Sequence, residues 1–254
     1  MGVLIVNLIK SAFRDKYLRF WEWIFPPLLM TAFALFIRGE LFATFILPGL
    51  AAFLLFQGLI YAIPYRLALL RENSLLRIAV EEGSIGMLSS AFVLSRVLIS
   101  CIQAGLFIPI GIWILQPEID IRAGWLIAAF AASLFGLGGF SLLVASLSKT
   151  VGSALGFAQL FYILLTAVSG IFFPLERSPE FLQLTSSLSP LTYTSEMLSY
   201  GLTGGGGKPP VEALLFLLLF GGAAAAVGLL ILKRDLAAGR NWNRTVAGPA
   251  SARG

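Results

Sequence analysis

Residues 123–148 run without a single charged side chain. A bilayer's hydrocarbon core is roughly 30 Å thick, so about 20 mostly apolar residues make a spanning helix. Four further stretches lack Asp, Glu, Lys and Arg over comparable lengths: 41–65, 97–117, 150–175 and 213–232. A shorter run, 23–37, reaches spanning length once Phe20 and Trp21 are placed in the interface. Backbone polar groups in lipid must pair within their own segment, and an uninterrupted apolar run does so as a helix. The expectation is an all-α membrane protein with six transmembrane helices, about 21–37, 41–65, 87–116, 123–147, 151–173 and 211–232. Charged residues make up 12% of the chain, about half the usual share of a soluble domain.

With six spans both termini lie on one side. Fourteen Lys and Arg fall on that side and four on the other, a bias that makes the side of the termini cytoplasmic. The formal charge of +5 is then mainly a topogenic signal with some affinity for anionic headgroups. No clustered basic surface points to nucleic acid. The N-terminus does not read as a cleaved signal peptide, since Arg14, Asp15, Lys16 and Arg19 follow its first apolar run. Cys101 is the only cysteine and is expected to pack within its span. Histidine is absent, which removes histidine metal sites and proton relays.

Ile5, Ile9, Phe13 and Tyr17 recur every four residues, so 3–18 reads as an amphipathic helix in the cytoplasmic interface. Residues 66–84 form the longest internal loop on that side, with Leu67, Leu70, Leu75 and Ile78 on one broad arc. That apolar content is high for a solvated loop and fits docking onto another protein. The outer connections at 38–40 and 118–122 leave no room for an outer domain. Residues 1–235 therefore form one transmembrane domain, and 236–254 a cytoplasmic tail expected to be partly disordered.

Chemistry-bearing motifs are missing. "GGGGKPP" has a lysine after glycines, but Pro209 stands where a phosphate-binding loop needs Ser or Thr. Glu22 and Arg96 are placed near cytoplasmic span ends, where long side chains reach the interface. Two polar stripes stand out. Gln57, Tyr61 and Tyr65 recur every four residues in the second span, and Gln159, Tyr162, Thr166 and Ser169 at three- and four-residue steps in the fifth. Such stripes serve either helix-to-helix hydrogen bonding or a surface along which cargo passes. Gly152 and Gly156, and the run "LFGLGGF", allow close helix approach.

The stretch "SGIFFPLERSPEFLQLTSSLSPLTYTSEML" interrupts the last hydrocarbon. Ser178 and Ser189 read as N-caps, with Pro179 and Pro190 at first helical positions. Phe181, Leu184 and Leu188 share a face. Each piece is about ten residues, roughly half a crossing at 1.5 Å per residue. With five spans before and one after, the pair is expected to form a short extracellular re-entrant helical hairpin between spans five and six.

This stretch resembles the C-terminal signature of ABC-2 type permeases, the membrane subunits of ATP-binding-cassette exporters. Ser169, Gly170, Phe173, Pro174, Pro179, Pro190, Leu191, Thr192 and Tyr193 match it; Ser189 replaces the usual Asn, and the family's following Arg is missing. By the resemblance, "RENSLLRI" is similar to a coupling helix, about 67–80, that docks onto a cytoplasmic ATPase subunit. Drug-export members often carry Glu-x-Gly-Thr-Leu there, whereas "NSLLRI" is similar to polysaccharide exporters.

The resemblance implies an exporter of an apolar or amphipathic drug, antibiotic or lipid, or alternatively of a lipid-linked polysaccharide. It implies a second permease chain and a bacterial-type plasma (inner) membrane. ATP and magnesium would sit on the partner ATPase, with no cofactor in this chain. The implied ATPase-coupling residues are Arg14, Asp15, Arg71, Glu72, Asn73, Leu75 and Arg77. Gln57, Tyr61, Gln159, Tyr162, Thr166 and Ser169 would line the path. Phe173, Pro174, Pro179, Pro190 and Tyr193 would form an extracellular gate. A non-transporting membrane scaffold is the competing class; a passive channel is disfavoured because no filter motif is present.

Overall fold

The computed structural model describes residues 20–36, 40–72, 85–173, 178–205 and 209–246. Every regular element among them is helical. A π-helical turn, Phe20–Ile24, leads into α1 (Phe25–Phe36). The chain continues through α2 (Glu40–Glu72), α3 (Ile85–Leu115), α4 (Ala123–Leu147) and α5 (Val151–Val168). Two short helices follow, α6 (Glu180–Ser186) and α7 (Pro190–Thr203), and then α8 (Val211–Val246). Five helices are long and apolar enough to cross a membrane: α2, α3, α4, α5 and α8. With 12 residues, α1 reaches only about 18 Å. The interface helix expected at 3–18 lies outside the described residues.

Three helix boundaries differ from the expectation. α2 does not break near Tyr65 but carries Pro48 and Pro64 inside it and continues to Glu72, so 67–72 continue that helix, while 73–80 of the expected coupling helix lie outside the described residues. α5 stops at Val168, where Gly170 adopts φ +69°, a left-handed conformation that ends helices readily at glycine. α8 runs to Val246, past the expected end at 232 and into the supposed tail. Its Leu, Ala and Arg residues extend a helix that is already nucleated.

α2 is the central helix, buried along most of its length. Its residues Ala51, Phe53, Phe56 and Ile60 meet Leu137, Val144, Ile171, Leu191 and Leu198 in the main core. α4 packs most closely against α8, and glycine is the reason. A Cβ at Gly136 would meet the Leu217 side chain at 2.9 Å, and Gly139 and Gly221 meet backbone to backbone. "LFGLGGF" is thus a close-packing surface. The Gly152–Gly156 pair on α5 is not one within this chain: a Cβ at either would meet nothing within 4 Å.

Elsewhere the apolar surface faces outward, with Trp113, Leu219 and Ile127 more than 70% exposed. Such exposure suits lipid rather than water. Cys101 is also exposed on α3, so it does not take up the packing role expected of it.

Arg96 corrects another expectation. Its side chain is 5% exposed and donates from Nη2 to the Gly58 carbonyl at 2.5 Å. Gly58 lies at the middle of α2, so the guanidinium is held deep in the helix bundle and does not snorkel to an interface.

α6 begins one residue later than expected, with Pro179 as its N-cap, and is seven residues long. Phe181, Leu184 and Leu188 share a face that is 65–71% exposed. In α7 Ser189 is the N-cap and Pro190 occupies the first turn, although the Ser189 hydroxyl makes no cap bond. The α3–α4 connection holds the far end of α7. Asp120 and Arg122 donate their N–H groups to the Leu202 and Gly201 carbonyls. The Arg122 guanidinium lies 4.4 Å from the centre of the Tyr200 ring, and Asp120 is paired to it at 3.2 Å. A cation beside the C-terminal carbonyls of a helix is favourable.

Candidate transport site

The two polar stripes meet. Tyr61 on α2 donates its hydroxyl to Gln159 Oε1 on α5 at 2.5 Å. Tyr162, one turn further along α5, lies 5.5 Å from the Tyr61 ring and stacks on Phe56 at 6.2 Å and 18°. Phe53 joins Tyr162 to Phe172 at 5.4 Å on each side. The result is an aromatic strip between α2 and α5 with an amide and two phenols along it. Gln57, by contrast, is buried within α2's packing, whereas Gln159 is exposed.

Thr166 is half-buried, and its Oγ1 has no hydrogen-bond partner. Ser169 is buried; its hydroxyl donates to the Thr166 carbonyl at 3.3 Å, and its own carbonyl accepts from Thr192 Oγ1 at 3.1 Å. These bonds tie the end of α5 to the start of α7. On its other side this corner lies against α2, because the Ile171 backbone crosses at Gly49, where no side chain intervenes.

Phe173 is half-buried and Pro190 buried, whereas Pro179 is exposed. Tyr193 stacks on Phe216 of α8 at 4.0 Å and donates its hydroxyl to the Ser187 carbonyl at 2.8 Å, joining α7, α8 and the α6–α7 turn. Pro174 lies outside the described residues, as do Asn73, Leu75, Arg77, Arg14 and Asp15.

Arg71 and Glu72 end α2, and both meet the chain's own α4–α5 turn. Arg71 donates from Nη1 to the Ser148 carbonyl at 2.5 Å and to the Ser146 carbonyl at 3.3 Å, and its Nη2 lies 3.5 Å from Asp235 on α8. Glu72 Oε1 accepts the Val151 N–H at 2.7 Å.

Sequence reasoning missed the aromatic share of this site. Phe53, Phe56 and Phe172 carry no polar signal, and phenylalanine is common throughout the chain. The four-residue step from Phe53 to Gln57 and Tyr61 is the trace that remained.

The fold and this site define a multi-pass, all-α membrane protein in which polar side chains of α2 and α5 meet at Tyr61 and Gln159. Residues 1–203 match the family model for the ABC-2 type transporter, and the chain belongs to that family. No curated protein matches the chain at a significant level. Members of the family are non-catalytic transport subunits that typically pair with ATP-binding-cassette subunits. Among the described residues no group of His, Cys, Asp and Glu is placed to hold a metal.

Proposed function

We propose that this chain is the permease subunit of an ATP-binding-cassette exporter, moving an apolar or amphipathic cargo (a drug, antibiotic or lipid) from the cytoplasm or inner leaflet outward. The junction of the two stripes at Tyr61, Gln159 and Tyr162 carries the reading. Rings cover apolar cargo without a directional demand, while phenol and amide groups offer hydrogen bonds, and neither Gln57 nor any member of the α5 stripe is ionisable except Tyr162. Thr166 contributes a hydroxyl with unused capacity, and Ser169 closes the outer end.

Six spans, with α1 and its π turn as the first, place both termini in the cytoplasm of a bacterial-type plasma membrane. Two copies, or this chain and a second permease, pair with two ATPase chains. Docking falls to Asn73, Leu75 and Arg77, with Arg14 and Asp15 of the interface helix. α6 and α7 form the re-entrant hairpin. In support, Ile171 meets α2 at Gly49, nine residues inside its Glu40 end, a depth of about 13 Å. α7 then climbs back to the outer α3–α4 connection. Phe173, Pro174, Pro179, Pro190 and Tyr193 make that hairpin the extracellular gate.

The test is cargo-stimulated ATP hydrolysis by the chain reconstituted with its co-purifying ATPase subunit. Tyr162→Ala or Gln159→Leu should shift the half-stimulating concentration of an amphipathic drug by about tenfold, the equivalent of one buried contact, with assembly retained. Stimulation by a lipid-linked glycan alone would reassign the cargo. Absence of both an ATPase partner and stimulation would leave a scaffold in place of a permease.

A further inference from the structure

The α4–α5 turn is only three residues, Ser148, Lys149 and Thr150, and it exposes two opposite helix ends at once. The last carbonyls of α4 need donors and the first N–H groups of α5 need acceptors. Most of them are served locally. Ser148 donates its hydroxyl to the Val144 carbonyl and its N–H to that of Ala145. Thr150 and Ser153 form a reciprocal capping box at the start of α5. Among the groups left over are the Ser146 and Ser148 carbonyls and the Val151 N–H.

They are satisfied by neighbouring residues of another helix. Arg71 takes the carbonyls and Glu72 the N–H. Their signs match the helix ends: the cation stands at the negative C-terminus of α4 and the anion at the positive N-terminus of α5. Arg71 also reaches Asp235 on α8. A single dipeptide at the last turn of α2 therefore grips three other helices. Beyond this turn, α4 and α5 have little mutual contact, so α5 depends on α2 for its position at its inner end as well as at Tyr61.

We propose that Arg71 and Glu72 form a mechanical clamp that makes the start of α5 follow the inner end of α2, so that displacement of that end of α2 is delivered to the helix bearing Gln159 and Tyr162. The proposal rests on the permease reading above, since that reading supplies the force. Arg71 and Glu72 act through the α4–α5 turn and are positioning residues. α5, whose outward face is exposed and whose packing is mainly on α2, is the element that moves.

Two measurements separate the clamp from the reading it rests on. In the full chain in lipid nanodiscs, without any ATPase, Glu72→Ala should speed amide hydrogen exchange at Val151 about tenfold, and Glu72→Gln, which keeps an acceptor oxygen, should recover most of the protection. Unaltered exchange in Glu72→Ala overturns the clamp whatever the protein transports. In the complex with the co-purified ATPase subunit, Cys101→Ala with Phe157→Cys places a thiol on exposed α5. Its maleimide-labelling rate should change on adding ATP and vanadate. Arg71→Ala or Glu72→Ala should reduce that change at least fivefold while the ATPase subunit still co-purifies, and Glu72→Gln should restore it. A full ATP-dependent change in both alanine variants overturns the proposal. If Glu72→Ala does not yield a monodisperse protein, Arg71→Gln is used for the same comparison. No ATP response in the parent protein, despite a normal exchange result, counts against the permease reading instead.

Discussion

Gly49 of α2 and Ile171 of the corner after α5 touch through their backbones, and a side chain on Gly49 would run into the Ile171 carbonyl. This contact sets how deeply that corner sits. Gly49→Ala should therefore cost about 1–3 kcal/mol, the usual range for overpacking. It should also weaken the Thr192–Ser169 bond that fastens α7. Gly152→Ala meets open space and replaces a poor helix former, so it should leave the isolated chain's stability unchanged or raise it by up to about 1 kcal/mol. Thermal unfolding of the two variants in one detergent checks the contrast. Equal losses would sink it.

Arg96 and Gly58 make a second testable pair. A Cβ at Gly58 would stand 2.9 Å from Arg96 Nη2, so Gly58→Ala should displace the guanidinium from its carbonyl. In an Arg96→Met background the same change should cost much less. The double-mutant cycle is expected to show a coupling of about 1 kcal/mol or more. Additive losses would mean that glycine serves some other purpose there.

Tyr61→Phe removes one hydroxyl and leaves the ring cluster in place. Its stability cost should be small, about 0.6 kcal/mol as is average for hydrogen bonds between membrane helices. The Gln159 oxygen then loses the Tyr61 hydroxyl, and on the proposed reading becomes available to cargo. Stability should thus barely move while the half-stimulating cargo concentration does. A large loss of stability with unchanged stimulation would make the bond a purely structural one.

On α7, burial holds the Glu196 carboxyl above the usual glutamate range, and like charge from Glu212 at the start of α8 adds to this. Burial first, and then the charges of Glu196 and Glu212, raise the Tyr193 phenol as well. A raised carboxyl pKa means that the folded state binds the proton more tightly than the unfolded chain. Its stabilising contribution is complete below the ordinary glutamate pKa and is lost as pH rises through the raised one. Glu196→Gln should flatten that part of the stability profile and leave the protein firmer at neutral pH. Melting temperatures across the acidic to neutral range test this, and an unchanged slope would refute it.

Much of the architecture was legible because lipid imposes a simple rule. Charge-free runs of sufficient length must become helices, and α3 and α4 fall close to the predicted limits. Two of the boundaries that moved, the ends of α2 and α8, were decided by continuation rather than hydropathy, and the third, the end of α5, by Gly170. Helix 40–72 passes its first charges because Arg71 and Glu72 find partners on other helices, and no local pattern foretells that. At the candidate site, the polar periodicity pointed to Tyr61, Gln159 and Tyr162. It could not distinguish Gln57, buried inside the same stripe, from the exposed Gln159.

Arg96 marks the limit more sharply. Read along the chain, a lone cation in an apolar segment belongs near an interface, because burial is costly. Its observed place depends on Gly58, 38 residues earlier, leaving space and a carbonyl at the right height.

The one-dimensional pattern of charge and hydrocarbon thus determined that this chain is helical and membrane-embedded, since those properties depend on what each segment can do alone in lipid. Tertiary structure alone decided which glycines bring backbones together, which polar groups meet, and that Arg71 and Glu72 cap two other helices. Those outcomes depend on distances between segments remote in sequence, and only packing sets such distances.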